Sequence, residues 1–174
     1  MNNINDIPWI SPDMHFPPTD KKVSEIPEFN GLIAASDRLS TKMLIDAYHK
    51  GIFPWSGQGQ PILWWSPNPR MILDCSKFII HNSLKKKIKS MLKNGMRLTC
   101  NKVFREVITA CSVPRPGQKS SWITPEIIES YYSLHEKNLA HSIEVWQNKD
   151  LIGGLYTVAI GKMVFGESMF NRQS

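Results

Sequence analysis

Glu167 is the carboxylate of this sequence most favourably placed for chemistry. It stands in VFGESMF, just after Gly166 and among apolar residues, and a carboxylate in such company needs a partner for its charge. Two readings are open: a group that holds a cation or handles a proton, or a surface acid at a strand end. Trp55 and Trp122 offer aromatic faces. Trp55 lies between Pro54 and a Gly/Gln turn, a setting that leaves a ring open for stacking by an unpaired base. Trp122 comes just before a helix start, where free N–H groups attract an anion such as phosphate. Trp64 and Trp65, inside ILWWSP, read as core. Lys85, Lys86, Lys87, Lys89 and Lys93 fall within nine residues. They form either a solvated helix face or a surface for RNA, DNA or anionic lipid, bound by charge without sequence preference.

Other chemistries find little support. His135 and His141 fall on a predicted helix and a predicted strand, and the five histidines make no ligand set, so no metal is expected. Cys75, Cys100 and Cys111 match neither zinc spacings nor a CxxC motif, and read as buried reduced thiols. There is no GxSxG elbow, P-loop or dinucleotide fingerprint.

The elements that must position these residues follow from the pattern. The chain has 174 residues, 41% of them hydrophobic and 21% charged, enough for one large domain or two small ones. Its net charge of +6 favours a polyanionic partner. Residues 1–30 read as irregular and Leu32–Ala35 as a short strand. Ser40 caps a helix that runs to Lys50, with Met43, Leu44, Ala47 and Tyr48 as its apolar stripe. The prolines and tryptophans of Gly51–Arg70 exclude a long helix and predict rigid loops with short extended pieces. A domain boundary is placed near Asn68–Pro69. A helix over 82–94 puts Leu84, Ile88, Met91 and Leu92 on one face and the lysines mostly on the others. Met96–Cys100 suits a strand, Asn101 a helix cap, and PRPG a turn. Thr124-Pro125-Glu126 is a strong helix start. Ala140–Trp146, Leu151–Ile160 and Met163–Ser168 form an antiparallel meander. The fold class is therefore α+β (mixed α/β). No apolar run is long enough to span a membrane, and the N-terminus lacks a signal-peptide pattern, so the expected compartment is the cytoplasm.

The segments GIFPW (Gly51–Trp55), PILWWSPNPR (Pro61–Arg70), WITPEIIESY (Trp122–Tyr131), LHEKNLAHSIEVW (Leu134–Trp146), LIGGLY (Leu151–Tyr156) and FGESMF (Phe165–Phe170) together resemble leucyl/phenylalanyl-tRNA–protein transferases, in that family's order and spacing. The resemblance runs from about Phe16 onward. It implies a small N-terminal domain, residues 1–68, and a GNAT-like acyltransferase domain, residues 69–174, with its C-terminal part missing. It implies transfer of Leu or Phe, less readily Met, from aminoacyl-tRNA to proteins with N-terminal Arg or Lys, which marks them for N-end-rule degradation. A monomeric bacterial enzyme without metal, acetyl-CoA or other cofactor is implied as well.

Residue by residue, the resemblance makes Trp55 and Trp122 holders of the 3′-terminal aminoacyl-adenosine and Tyr131 a neighbour of the site. Leu155, Gly166, Glu167 and Met169 become the wall of the apolar side-chain pocket, with Leu155 in place of a methionine found in some relatives. The lysine helix corresponds to a tRNA-binding patch, and Asn82 stands where an arginine is common. The sequence closes on FNRQS at Ser174. Family members continue for several tens of residues beyond the position of Ser174 and carry there an Asp and a Gln assigned to catalysis. A truncated chain without turnover of its own is the resulting expectation, with Glu167 as the one candidate catalytic residue before Ser174. The reaction implied is ester aminolysis, which asks for positioning, proton collection and oxyanion stabilisation. Two alternatives stand beside it. One is a non-catalytic RNA-binding fragment. The other is an acetyl-CoA-dependent acyltransferase, for which the Gly-rich pyrophosphate loop is absent.

Overall fold

Ser40 begins the first helix as its hydroxyl allows: Oγ accepts from the Met43 N–H at 3.2 Å, and α1 runs Thr41–His49. This region belongs to a computed structural model that describes residues 7–20, 29–57, 59–114, 117 and 120–173. Around α1 lie three short strands, β1 Leu32–Ser36, β2 Phe53–Pro54 and β3 Ile62–Trp65, paired antiparallel in the order β1-β3-β2. Strand alternation separates the two adjacent tryptophans. Trp64 faces inward with no exposed surface; its Nε1 donates to Ser36 Oγ at 2.9 Å and its ring meets Phe16 edge-on at 4.8 Å. Trp65 points the other way, is only half-buried, and donates from Nε1 to the Trp55 carbonyl at 2.7 Å. The core reading thus holds for Trp64 and is corrected for Trp65. Residues 7–20 are irregular, as expected, and cover this sheet through Ile10 and Phe16. Residues 1–6 and 21–28 lie outside the described residues. So does Ser174; the last described residue is Gln173.

The second sheet contains β4 Met96–Cys100, β5 Ala140–Gln147, β6 Asp150–Ile160 and β7 Met163–Asn171, all antiparallel in that order. Two helices pack on it, α3 Phe104–Cys111 and α4 Pro125–Glu136. Thr124 caps α4 by accepting from Ile127 N at 3.3 Å, with Pro125 in the first turn, as its sequence predicts. Val107, Ile108, Tyr131, Leu134, Tyr156 and Val158 are fully buried between helices and sheet. The core is continuous with that of the first sheet, and the Leu39 N–H donates to Glu126 Oε1 at 3.0 Å across the two. The architecture is α+β, as the pattern predicts.

Close packing of α3 on β6 requires Gly154. A Cβ there would lie 2.7 Å from the Phe170 ring and 3.1 Å from both Val107 methyls. Gly154→Ala is therefore expected to lower stability by about 1–3 kcal/mol, read as a fall in the urea midpoint at unchanged slope. An unaltered midpoint would remove the crowding argument.

Four expectations need correction. Asn101 does not cap α3, whose N-cap is Val103. It adopts φ 57° and turns its side chain to β5, where Oδ1 accepts from Ser142 N at 2.9 Å. Cys75 and Cys100 are exposed, one in a short 3-10 turn and one on β4 at the sheet edge; only Cys111 is buried. β7 continues past Ser168 to Asn171. The lysine-bearing helix, α2 Asn82–Lys93, has no buried residue, and Leu84 and Leu92 of its apolar face are each 47% exposed. Part of the PRPG turn falls at residues 115–116, outside the described residues. Among the described residues, no helix is long and apolar enough to cross a membrane.

Candidate functional site

Glu167 owes its direction to an extra residue in β7. Tyr156 pairs with Ser168 and Thr157 with Gly166, so Glu167 has no partner on β6 and forms a β-bulge. Phe165 and Phe170, five residues apart, both pack on the core, which unbroken alternation would forbid. The bulge resets the alternation. It lies at the middle of β7 rather than at a strand end.

There the carboxylate meets buried hydroxyls. The Tyr131 hydroxyl donates to Glu167 Oε2 at 3.3 Å, and the Tyr48 hydroxyl lies 2.6 Å from that of Tyr131. With the Tyr131 proton directed at the carboxylate, Tyr48 is the donor in the second bond. Loss of solvent raises the Glu167 pKa from its ordinary 4.5 to about 7; the two tyrosine hydroxyls and the Arg70 charge oppose this without cancelling it. Burial first, and the facing carboxylate second, raise the pKa values of Tyr48, Tyr131 and Tyr156, which therefore stay protonated. The Tyr156 hydroxyl is buried without a hydrogen-bond partner among the described residues.

Above this cluster opens a cavity of about 1360 Å³, walled by Phe53, Trp55, Arg70, Trp122, Phe165 and Glu167. A second hollow of about 570 Å³ also touches Trp55, Trp122 and Glu167, and adds Met169. Trp55 is 56% exposed and stands edge-on to Trp65, with ring centres 6.2 Å apart. The structure thus brings Trp55, Trp122 and Glu167 to both hollows, with Gly166 in the first and Met169 in the second. Tyr131 lines neither; its fully buried ring lies beneath Glu167 and reaches the site through its hydroxyl. Leu155 lies outside the described walls. It alternates with the inward-facing Tyr156 and pairs with Ile143 and Met169. The five lysines line neither hollow and form no ion pair among the described residues.

Tyr48 and Arg70 were not singled out in the sequence. Tyr48 hides in the apolar stripe of α1, which reads as packing alone. The signal for Arg70 is its place at the end of WWSPNPR, a loop rigid enough to aim a side chain. Among the described residues, no group of His, Cys, Asp and Glu is arranged to hold a metal. An acid titrating near neutrality beside open aromatic faces can exchange a proton with a bound molecule at physiological pH.

A family model described as leucyl/phenylalanyl-tRNA protein transferase matches residues 72–174, and one for the N-terminal domain of that family matches residues 37–68. A leucyl/phenylalanyl-tRNA–protein transferase of Albidiferax ferrireducens is 48% identical over 170 residues, covering 97% of this chain and 67% of that protein. The protein of the same name from Burkholderia multivorans is 48% identical over 166 residues, with 94% and 65% covered. That from Nitrosomonas eutropha is 48% identical over 160 residues, with 92% and 66% covered. The chain spans about two thirds of the length of these curated relatives. With both family models matched in order and nearly half of the aligned positions identical, the chain belongs to the leucyl/phenylalanyl-tRNA–protein transferase family.

Proposed function

We propose that the cavity is where a leucyl or phenylalanyl group, less readily methionyl, passes from a charged tRNA to the α-amine of a protein whose N-terminus is Arg or Lys. The supporting observation is the convergence of Trp55, Trp122 and Glu167 on one opening in a chain of this family. The product is a protein marked for N-end-rule degradation, and the setting is the cytoplasm of a bacterium. The protein acts as a monomer, divided near Asn68–Pro69 into an N-terminal unit and a GNAT-type acyltransferase unit.

The reaction joins the amine nitrogen to the aminoacyl carbonyl carbon and breaks the ester C–O bond, returning the 3′ oxygen to the RNA as a hydroxyl. An α-amine has a pKa near 7.7–8.0, so a useful share is free base at neutral pH. Trp55 and Trp122 hold the terminal adenosine by stacking. The apolar wall, with Gly166 and Met169, takes the Leu or Phe side chain, and Tyr131 steadies Glu167. Once ionised, Glu167 attracts the cationic N-terminus and accepts a proton from the attacking amine. Turnover further calls on an Asp and a Gln from the family's continuation past the position of Ser174. Lys85, Lys86, Lys87, Lys89 and Lys93 meet the phosphates of the acceptor stem.

The test uses a stable 3′-phenylalanylamino-adenosine as the probe. It is expected to bind the chain, and Trp55→Ala and Trp122→Ala are each expected to weaken binding by about 1–3 kcal/mol, since a stacked base contributes that much. Equal binding by the wild type and both variants would sink this reading. A purely RNA-binding role is not favoured, because the relatives are named transferases and holding phosphate has no use for an acid set against buried tyrosine hydroxyls. It would gain if charged tRNA bound with steep salt dependence while mass spectrometry found no leucine on a peptide beginning with Arg.

A further inference from the structure

Arg70 is the one arginine or lysine among the described residues that line the large cavity. Its guanidinium is fixed on three sides. Nη1 donates to the Gly51 carbonyl at 2.6 Å, the Phe53 ring centre lies 4.9 Å away, and the Phe165 ring centre lies 5.3 Å away. Arg70 is nevertheless solvent-exposed and forms no ion pair among the described residues. Most of its five N–H donors remain unused.

A rival explanation is that Arg70 exists to neutralise Glu167. The two carry no direct hydrogen bond or ion pair, and the Arg70 charge ranks behind desolvation and both tyrosine hydroxyls in its effect on that carboxyl. A bonded guanidinium would hold the acid well below its ordinary range, whereas Glu167 titrates near 7. The remaining role for a pre-oriented, unpaired fork in a wall shared with two tryptophans is to take an anion from a molecule whose rings stack on them. A cationic protein N-terminus is repelled by Arg70, which leaves the nucleic-acid end as the anionic partner.

We propose that Arg70 binds the phosphodiester that joins the 3′-terminal nucleotide to the rest of the RNA strand. This rests on the reading that an RNA 3′ end enters the cavity between Trp55 and Trp122. Arg70 then fixes how far the strand can enter, and so where the terminal ribose stops relative to Glu167.

The experiment measures binding of the full chain to an uncharged RNA stem-loop ending in an unpaired 3′-CCA, and to the same RNA with its last phosphodiester replaced by a neutral methylphosphonate. The wild type is expected to lose about tenfold in affinity on that replacement, the scale of one charge-assisted hydrogen-bonded contact. Arg70→Gln is expected to bind the native RNA about tenfold more weakly, to be indifferent to the methylphosphonate, and to show a salt slope smaller by about 0.7. Arg70→Lys, which keeps the charge, is expected to retain that slope. The wild-type comparison needs no variant to fold, and circular dichroism melts check those that are made. Binding of both RNAs by Arg70→Gln with wild-type affinity and slope overturns the proposal and leaves the proposed function standing. A wild type that binds neither RNA overturns both.

Discussion

Glu167→Gln is expected to stabilise the chain by about 3 kcal/mol at pH 8 and to change little near pH 4.5. The carboxyl titrates at about 7 in the folded chain, against an ordinary value of 4.5. Between those values the folded state holds a proton that the unfolded state has released, so stability falls as pH rises through that window and levels off above about 7. At 1.36 kcal/mol per unit, a shift of this size corresponds to roughly 3 kcal/mol. Glutamine resembles the protonated acid in shape and can still accept from the Tyr131 hydroxyl, so it removes the cost of burying the charge. Denaturant midpoints at the two pH values check this. Equal stability of the two proteins at pH 8 would show that the carboxylate is hydrated after all. Under the proposed function the same substitution abolishes proton acceptance, with a loss of about 10²–10⁴ in transfer rate. A variant at once more stable and less active has the trade-off expected of a strained functional group rather than of a structural one.

Trp64→Ala is expected to cost about 3–5 kcal/mol, as fully buried tryptophans do on truncation, and it also removes the one indole bond that the Ser36 hydroxyl accepts, leaving that hydroxyl only its donation to the Arg38 carbonyl. Trp65→Ala, one residue on, is expected to cost only about 1 kcal/mol, since the side chain is half-buried and loses one hydrogen bond and one ring contact. Thermal melts of the two variants decide the matter. Similar losses from both would mean that the register Ala34↔Trp64 and Leu32↔Trp65 is wrong.

This pair also marks how far local sequence carries. Helices with clear punctuation were legible: Ser40 and Thr124 each supply the hydroxyl that their helix start requires. The meander was legible because alternation and short turns are local signals. ILWWSP was ambiguous because four residues of strand carry no period long enough to say which ring faces inward; pairing with β1 decides it. Asn101 failed as a cap because a residue 41 positions away offers it a better partner in the Ser142 N–H. The same limit applied at the site. Trp55, Trp122 and Glu167 could be chosen by type and setting. Tyr48 could not, because its hydroxyl matters only through Tyr131, 83 residues later. For the lysine helix, amphipathic spacing revealed the helix but not whether its apolar side would be covered.

The bulge at Glu167 makes chain length itself part of the site. Two residues of β7 oppose a single step of β6, and both flanking phenylalanines depend on that count. Deleting one residue between Phe165 and Phe170 would erase the bulge and restore regular pairing with the two phenylalanines four apart and still on one face, whereas adding one residue beside an unchanged bulge would turn Phe170 outward. Substitutions in this stretch leave the pairing in place, while insertions and deletions change the pairing itself. A survey that varies only residue types would leave that constraint unseen.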